Sequence, residues 1–136
     1  MKLSILFIIN AIVSLIFGLA AVFAPALLAN IYGGPVNDAV LALYRINGAS
    51  LIGFAAVAWF IRNAPPSEAR QGLLLGFIAG YAFYTLVFLF VALQRIGTAV
   101  IWVNVVISLA FGLAYAYYAF MTPGAEPVAR KRATRR

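Results

Sequence analysis

The chain has 136 residues, of which 65% are hydrophobic and only 10% are charged, and its mean hydropathy is +1.02. Ordinary soluble domains carry about 25% charged residues, so the composition excludes that class and predicts an integral membrane protein with one domain. The chain has no cysteine, no histidine and only three acidic residues, which argues against thiol chemistry and against hydrolytic or metal-dependent catalysis. We therefore expect a protein that is not an enzyme and needs no cofactor.

Four apolar segments predict an all-α integral membrane four-helix bundle with short loops. They cover about residues 3–23, 39–61, 71–93 and 98–120, and each is close to the length that crosses the hydrocarbon core. Together they predict a membrane domain over residues 1–121, followed by a basic tail over residues 122–136. The first segment is longer than the apolar core of a signal peptide, and Pro25 follows its end, so we interpret it as a retained helix.

The basic residues predict the orientation of these helices. Lys2, Arg62, Arg70 and the tail lie on one side of the membrane, whereas only Arg45 and Arg95 lie on the other. The positive-inside rule then predicts that both termini are cytoplasmic in a bacterial inner membrane. A basic tail beside a membrane helix favours anionic lipid over nucleic acid as its partner. The predicted lipid contacts of the tail are Arg130, Lys131, Arg132, Arg135 and Arg136.

The connections between the segments carry recognisable helix signals. Pro25 ends the first helix, and residues 26–32 are expected to form a short amphipathic turn in the membrane interface. Asn37 or Asp38 can cap the second helix, and Ser67 can cap the third, by accepting hydrogen bonds from free backbone N–H groups. Residues 94–97 form a short turn, so the third and fourth predicted helices must be antiparallel neighbours.

Arg45 is the most informative residue because it lies inside a predicted span. A buried arginine costs at least about 2.5 kcal/mol unless it reaches the headgroups or finds a partner, which makes it a candidate for a functional site. Asp38 lies seven positions earlier on nearly the same helix face and is the predicted ion-pair partner. A bound ligand and a purely structural hydrogen-bond network are both compatible with this pattern. The predicted ligand-binding residues are Arg45, Asn47, Tyr84, Thr85, Gln94 and Asn104.

Small residues recur at four-residue spacing, which in lipid allows two helix backbones to approach closely. We interpret these stripes as packing within the chain, and the alternative is that the glycines of the third helix join another subunit. The predicted packing residues are Gly72, Gly76, Gly80, Ser14, Gly18, Ser108 and Gly112, and Ala49 and Gly53 form a similar pair on the second helix.

Two further patterns concern polar and aromatic side chains. Residues 10–20 match residues 104–114, with Asn, Ser and Gly four positions apart in both, and shared packing needs explain this better than duplication. Tyr81, Tyr84 and Phe88 share one helix face that either lines a cavity or packs in the core. Tyr115 lies near a predicted helix end and is interpreted as part of an interfacial aromatic belt.

The first two predicted helices resemble a known family. The first ends in proline, and the second contains Arg45-x-x-Gly48-Ala49-x-Leu51-x-Gly53, which is similar to small four-helix bacterial membrane proteins of the DoxX-like type. The resemblance implies the four-helix architecture and draws attention to Arg45, but it implies no substrate. Some members of such families resemble accessory subunits of membrane oxidoreductases.

These observations favour a non-enzymatic accessory or scaffold subunit of a larger membrane assembly. Its expected partners are membrane lipids and either other membrane subunits or further copies of the chain. The alternative is a lipid- or quinone-binding protein, or a small oligomeric transporter, with a polar site around Arg45. No acidic residue lies inside a span, which disfavours proton- or cation-coupled transport.

Overall fold

The computed structural model describes residues 2–121 and confirms the predicted all-α fold. Within that range it contains a short helix, α2, and four helices that are long and apolar enough to cross a membrane, as in a multi-pass membrane protein. The basic tail over residues 122–136 lies outside the described residues. The helices are α1 (Leu3–Phe23), α2 (Pro25–Tyr32), α3 (Asp38–Ile61), α4 (Glu68–Leu93) and α5 (Val100–Phe120).

Local sequence explains where these helices begin. Asn37 caps α3 by accepting a 3.0 Å hydrogen bond from the Val40 N–H, and Ser67 caps α4 in the same way with the Arg70 N–H at 3.2 Å. The cap at Ser67 starts α4 three residues earlier than the hydropathy pattern predicts. Residues 26–32 are helical rather than a turn, because proline suits the first turn of a helix.

The four long helices form two antiparallel pairs, α1 with α3 and α4 with α5. In the first pair the backbones cross at Gly18 and Gly48, where a Cβ added to Gly48 would lie only 2.7 Å from the Gly18 carbonyl oxygen. In the second pair Gly112 lies against Tyr81, and a Cβ added to Gly112 would lie 3.4 Å from the Tyr81 Cβ. The short turn after α4 therefore does join antiparallel neighbours, as predicted.

An aromatic core joins the two pairs in one half of the bundle. Phe7 of α1, Phe77 of α4 and Tyr115 of α5 are almost completely buried, and the rings of Phe77 and Tyr115 stack with their centroids 4.9 Å apart. This half contains the start of α1 and the end of α5, and we call it the termini side. Tyr115 is thus a core residue, and its assignment to the interfacial belt is wrong because it lies on the face of α5 that meets Phe77.

The opposite half, which we call the α2 side, has no comparable core among residues 2–121. Here α2 packs against α1, α3 and α5 and covers the end of the bundle. Two hydrogen bonds connect its last turn to the loop between α4 and α5. The Thr98 hydroxyl donates to the Ile31 carbonyl at 2.7 Å, and the Thr98 N–H donates to the Tyr32 carbonyl at 3.2 Å. Gly33 and Gly97 have φ angles of 72° and 81°, a conformation that glycine adopts without steric cost.

Candidate ligand cavity between the helix pairs

A cavity of about 600 Å³ separates the two helix pairs on the α2 side. The α2-side halves of α1, α3, α4 and α5 form its walls, and α2 with the segment after it covers one end. At mid-membrane the cavity ends at Ser14, Phe54, Tyr81 and Phe111, beyond which lies the aromatic core. The cavity exists because α3 and α4 pack little against each other apart from Phe54, whose ring contacts Phe77 and Tyr81.

Asn10 organises the closed end of this cavity. Its side chain is completely buried, and its Nδ2 donates a 2.7 Å hydrogen bond to the Tyr115 hydroxyl. Its Oδ1 accepts hydrogen bonds from the Tyr81 hydroxyl at 2.6 Å and from the Ser14 hydroxyl at 3.0 Å. One amide therefore ties α1 to both α4 and α5, and it satisfies two phenol groups that lipid cannot solvate.

A second set of hydrogen bonds runs along the α5 wall. The Thr85 hydroxyl donates to Ser108 Oγ at 2.9 Å, and the Ser108 hydroxyl donates to the Asn104 carbonyl at 2.7 Å. Nearer the α2 end, Asn104 Nδ2 donates to the Tyr32 hydroxyl at 2.7 Å. These contacts join α2, α4 and α5, so the α5 wall of the cavity is held in place by polar bonds as well as by packing.

Three other polar side chains line the cavity and have no such bonds. They are Tyr44 and Asn47 on α3 and Tyr84 on α4, and none has a side-chain hydrogen-bond partner within residues 2–121. In contrast, every fully buried side-chain nitrogen or oxygen of the described chain has a partner. The unpaired polar groups therefore lie where the bundle is open, and they are available to a molecule that enters it.

The cavity opens sideways, between the α2-side halves of α3 and α4. Leu43 of α3 and Val87 of α4 both line it, yet they are 65% and 57% exposed, so they mark its mouth. Asn47 is exposed at the same mouth. Because α3 and α4 are both candidate membrane spans, a mouth between them would face the hydrocarbon region of a bilayer.

Within residues 2–121 no charged side chain lines the cavity, and Arg45 lies away from it. Arg45 is exposed on α3 two residues before Asn47, so the two side chains leave the helix about 160° apart. The predicted ion pair between Asp38 and Arg45 is also absent from the described part of the chain. The two residues are about 10 Å apart along the helix axis, and each side chain is exposed near the bundle end instead.

The structure brings together only some of the predicted ligand-binding residues. Asn47, Tyr84 and Asn104 line the cavity, together with the Tyr81 and Phe88 that share the Tyr84 face. Thr85 lies behind the wall, bonded to Ser108. Gln94 follows the last residue of α4 and is exposed, so it is not a cavity residue.

The predicted packing residues also divide into two groups. Ser14 and Ser108 are buried between helices, and Gly18 and Gly112 allow close approach. A Cβ added to Gly80 would lie 3.8 Å from the Phe54 ring, which is an ordinary contact. A Cβ at Gly72, Gly76 or Gly53 would meet nothing within 4 Å, so these three glycines do not pack inside the described chain. The interpretation as packing within the chain is wrong for them, because they lie on outward-facing helix surfaces.

Sequence reasoning missed the central role of Asn10 and Tyr115. A signal was present, because Asn10 starts the stripe that continues through Ser14 and Gly18. An asparagine in the middle of an apolar span requires a polar partner, and tyrosine is the commonest polar residue in the remaining spans. The particular tyrosines follow only from the packing of α1 against the second helix pair.

Comparison with known proteins gives one match. Residues 8–132 match the family described as a domain of unknown function, DUF8292. The chain belongs to this family. No curated protein matches the chain, and no solved structure matches it. The resemblance to DoxX-like proteins gains no support from these comparisons, and the family description assigns no activity.

Proposed function

We propose that this DUF8292 protein binds a lipid-soluble, amphipathic molecule in the cavity between its two helix pairs. The observation that carries the proposal is the position of the unpaired polar groups: Tyr44, Asn47 and Tyr84 all face one cavity that opens toward the hydrocarbon region. A polar group without a partner costs several kcal/mol in lipid. A ligand that combines an apolar body with hydrogen-bonding atoms removes this cost.

The size and lining of the cavity support the same function. Its volume of about 600 Å³ lies within the range of small-molecule sites, which are mostly apolar with a few polar groups that fix orientation. The hydrogen bonds of Asn10 and Asn104 hold the closed end and the α5 wall in place without a ligand. Such preorganisation lowers the entropic cost of binding.

Passage through a single chain is a weaker candidate. A pore would have to continue from the cavity through the termini side, where Phe7, Phe77 and Tyr115 fill the interior. The Asn10 hydrogen bonds lie directly across that route. Binding from the side therefore fits this arrangement better than transport across it.

A pair of tryptophan variants tests the proposal. Leu51→Trp adds an indole to a side chain that lines the cavity, whereas Ile46→Trp adds it to an exposed side chain on the same half of α3. The protein is extracted gently from its membranes and examined by native mass spectrometry. We expect a bound lipid-soluble mass on the wild type and on Ile46→Trp, and its loss from Leu51→Trp. A mass retained equally by all three proteins would refute binding in this cavity.

A role as an accessory or scaffold subunit is the second candidate, and the outward-facing glycines of α4 favour it. Gly72 and Gly76 leave an open strip on the helix surface, where another helix could approach closely. The likeness of the first two predicted helices to DoxX-like proteins is compatible with this role.

The Gly76→Leu variant, compared with Ala82→Leu on another exposed part of α4, tests the accessory role. If α4 docks on a partner subunit, only Gly76→Leu removes the partner from the gently extracted complex. A partner that remains bound to both variants contradicts docking through this strip.

A further inference from the structure

We infer that the ligand is an uncharged lipid, and that its carbonyl or hydroxyl head group hydrogen-bonds to Asn47 and Tyr84. This inference rests on the proposed function and adds the chemical class of the ligand. It excludes the anionic phospholipids, which are the obvious alternative for a strongly basic membrane protein with a net charge of +7.

The first step is electrostatic. Arginine, lysine, aspartate and glutamate are all missing from the cavity lining in the part of the chain that the structure describes. An anionic head group inside it would lose its hydration and gain no opposite charge, which is strongly unfavourable in a medium of low polarity. Arg45 is the nearest cation along α3, but it leaves the helix about 160° away from Asn47. A phosphate that pairs with Arg45 therefore lies outside the cavity.

The second step is the depth of the unpaired groups. Asn47 is nine residues from the start of α3, and Tyr84 is nine residues from the end of α4. Since both helix ends lie on the α2 side, the two side chains are at the same level, about 13 Å along the helix axes from these ends. A charged head group prefers the interface, whereas a carbonyl or hydroxyl tolerates this depth if it is hydrogen-bonded.

The third step is the type of hydrogen bond available. The Asn47 amide offers donors and an acceptor, and the Tyr84 hydroxyl offers one donor and accepts as well. A carbonyl head group can accept from both, and a hydroxyl head group can donate to one and accept from the other. The Tyr84 ring stacks on Phe88, with the centroids 6.0 Å apart, which holds the phenol in the wall of the cavity.

The experiment compares three lipids with the delipidated protein in detergent. The probes are a short-chain quinone with ring carbonyls, a diacylglycerol with one free hydroxyl, and phosphatidylglycerol with an anionic phosphate. Retention of each probe is measured by native mass spectrometry. The proteins are the wild type, Asn47→Leu, Tyr84→Phe, Leu51→Trp and Arg45→Ala.

We expect the wild type to retain at least one of the two neutral lipids and Leu51→Trp to retain neither. Asn47→Leu and Tyr84→Phe should each weaken that retention about tenfold, since each removes one hydrogen bond to the head group. Arg45→Ala should retain the neutral lipid as well as the wild type does. Tyr84→Phe removes a single hydroxyl oxygen that has no hydrogen-bond partner within residues 2–121, so it breaks no contact that holds the fold. Retention of only the quinone or only the diacylglycerol identifies the head group as a carbonyl or a hydroxyl.

Two results would overturn the inference. One is retention of phosphatidylglycerol that Leu51→Trp abolishes, because this would place an anionic lipid in the cavity and leave the proposed function intact. The other is unchanged retention of the neutral lipids by both Asn47→Leu and Tyr84→Phe. If no probe binds and the extracted protein also carries no lipid-soluble mass, then the proposed function fails together with the inference.

Discussion

Replacement of Asn10 by leucine is the sharpest test of how the closed end of the cavity is held. Leucine has the same branched shape as asparagine, although it is larger, so the substitution removes the hydrogen bonds and keeps a side chain in the buried site. It deletes the bonds to the Tyr81 and Tyr115 hydroxyls, which connect α1 to α4 and α5. The Ser14 hydroxyl also loses its partner, but it can donate to a carbonyl of its own helix instead.

The expected loss follows from two interhelical hydrogen bonds. Such bonds in membrane proteins contribute about 0.6–1.7 kcal/mol each, so together they contribute about 1–3 kcal/mol. Tyr81 and Tyr115 remain buried after the substitution, and their unpaired hydroxyls favour the upper end of this range. We expect Asn10→Leu to lower the free energy of unfolding by about 2–3 kcal/mol.

The assay is equilibrium unfolding in mixed micelles, with increasing amounts of a denaturing detergent and near-ultraviolet circular dichroism as the signal. The control is the triple variant Asn10→Leu, Tyr81→Phe, Tyr115→Phe, which removes the two hydroxyls as well. Replacing all partners of a hydrogen bond by apolar groups costs little, so the triple variant should recover most of the lost stability. The reasoning is refuted if Asn10→Leu costs less than about 0.5 kcal/mol, or if the triple variant is no more stable than Asn10→Leu alone.

Two further predictions use matched glycines. Gly48→Ala should lower the free energy of unfolding by about 1–3 kcal/mol, because the new Cβ would lie 2.7 Å from a backbone oxygen of α1. The control is Gly53→Ala, whose Cβ meets nothing within 4 Å. In the same unfolding assay this control should be neutral or slightly stabilising. An equal effect of both would contradict the helix crossing. Gly97→Ala should speed hydrogen exchange in α2, because Gly97 has a φ of 81° and an added Cβ would lie 2.5 Å from the Tyr32 carbonyl oxygen. The control is Gly34→Ala, whose added Cβ makes only an ordinary contact and should leave the hydrogen exchange of α2 unchanged. If exchange in α2 is equally slow in both variants, the loop contact does not hold α2 in place.

The sequence predicts the helices well because the signals for them are local. Hydropathy finds the four spans, and the side chains of Asn37 and Ser67 fix where α3 and α4 begin. The short turn after α4 also determines that α4 and α5 are neighbours. The pairing of α1 with α3 is less accessible, since it depends on Gly48 facing Gly18 across a long connection.

The site is harder to predict because it depends on the direction in which each helix face points. Asn47 and Arg45 are two residues apart, and hydropathy gives no reason to prefer either as the cavity residue. Once α3 packs on α1 through Gly48, the helical rotation directs Asn47 toward α4 and Arg45 away from it. Arg45 is conspicuous in the sequence because a charge inside a span is rare. In the structure, however, the neutral amide of Asn47 lines the cavity and Arg45 does not.

The two matching stripes of α1 and α5 make similar contacts in the structure. Asn10 and Asn104 each donate from Nδ2 to a tyrosine hydroxyl at 2.7 Å, although the tyrosines belong to different helices. The serine four residues later bonds back to the same asparagine in both stripes, through the side-chain oxygen in α1 and through the backbone carbonyl in α5. The glycine a further four residues on lies against the neighbouring helix in each case, more closely at Gly18 than at Gly112. Each stripe thus combines the same three features: a polar anchor, a satisfied hydroxyl and a glycine at a helix contact. These shared contacts explain the matched asparagine, serine and glycine positions by packing needs.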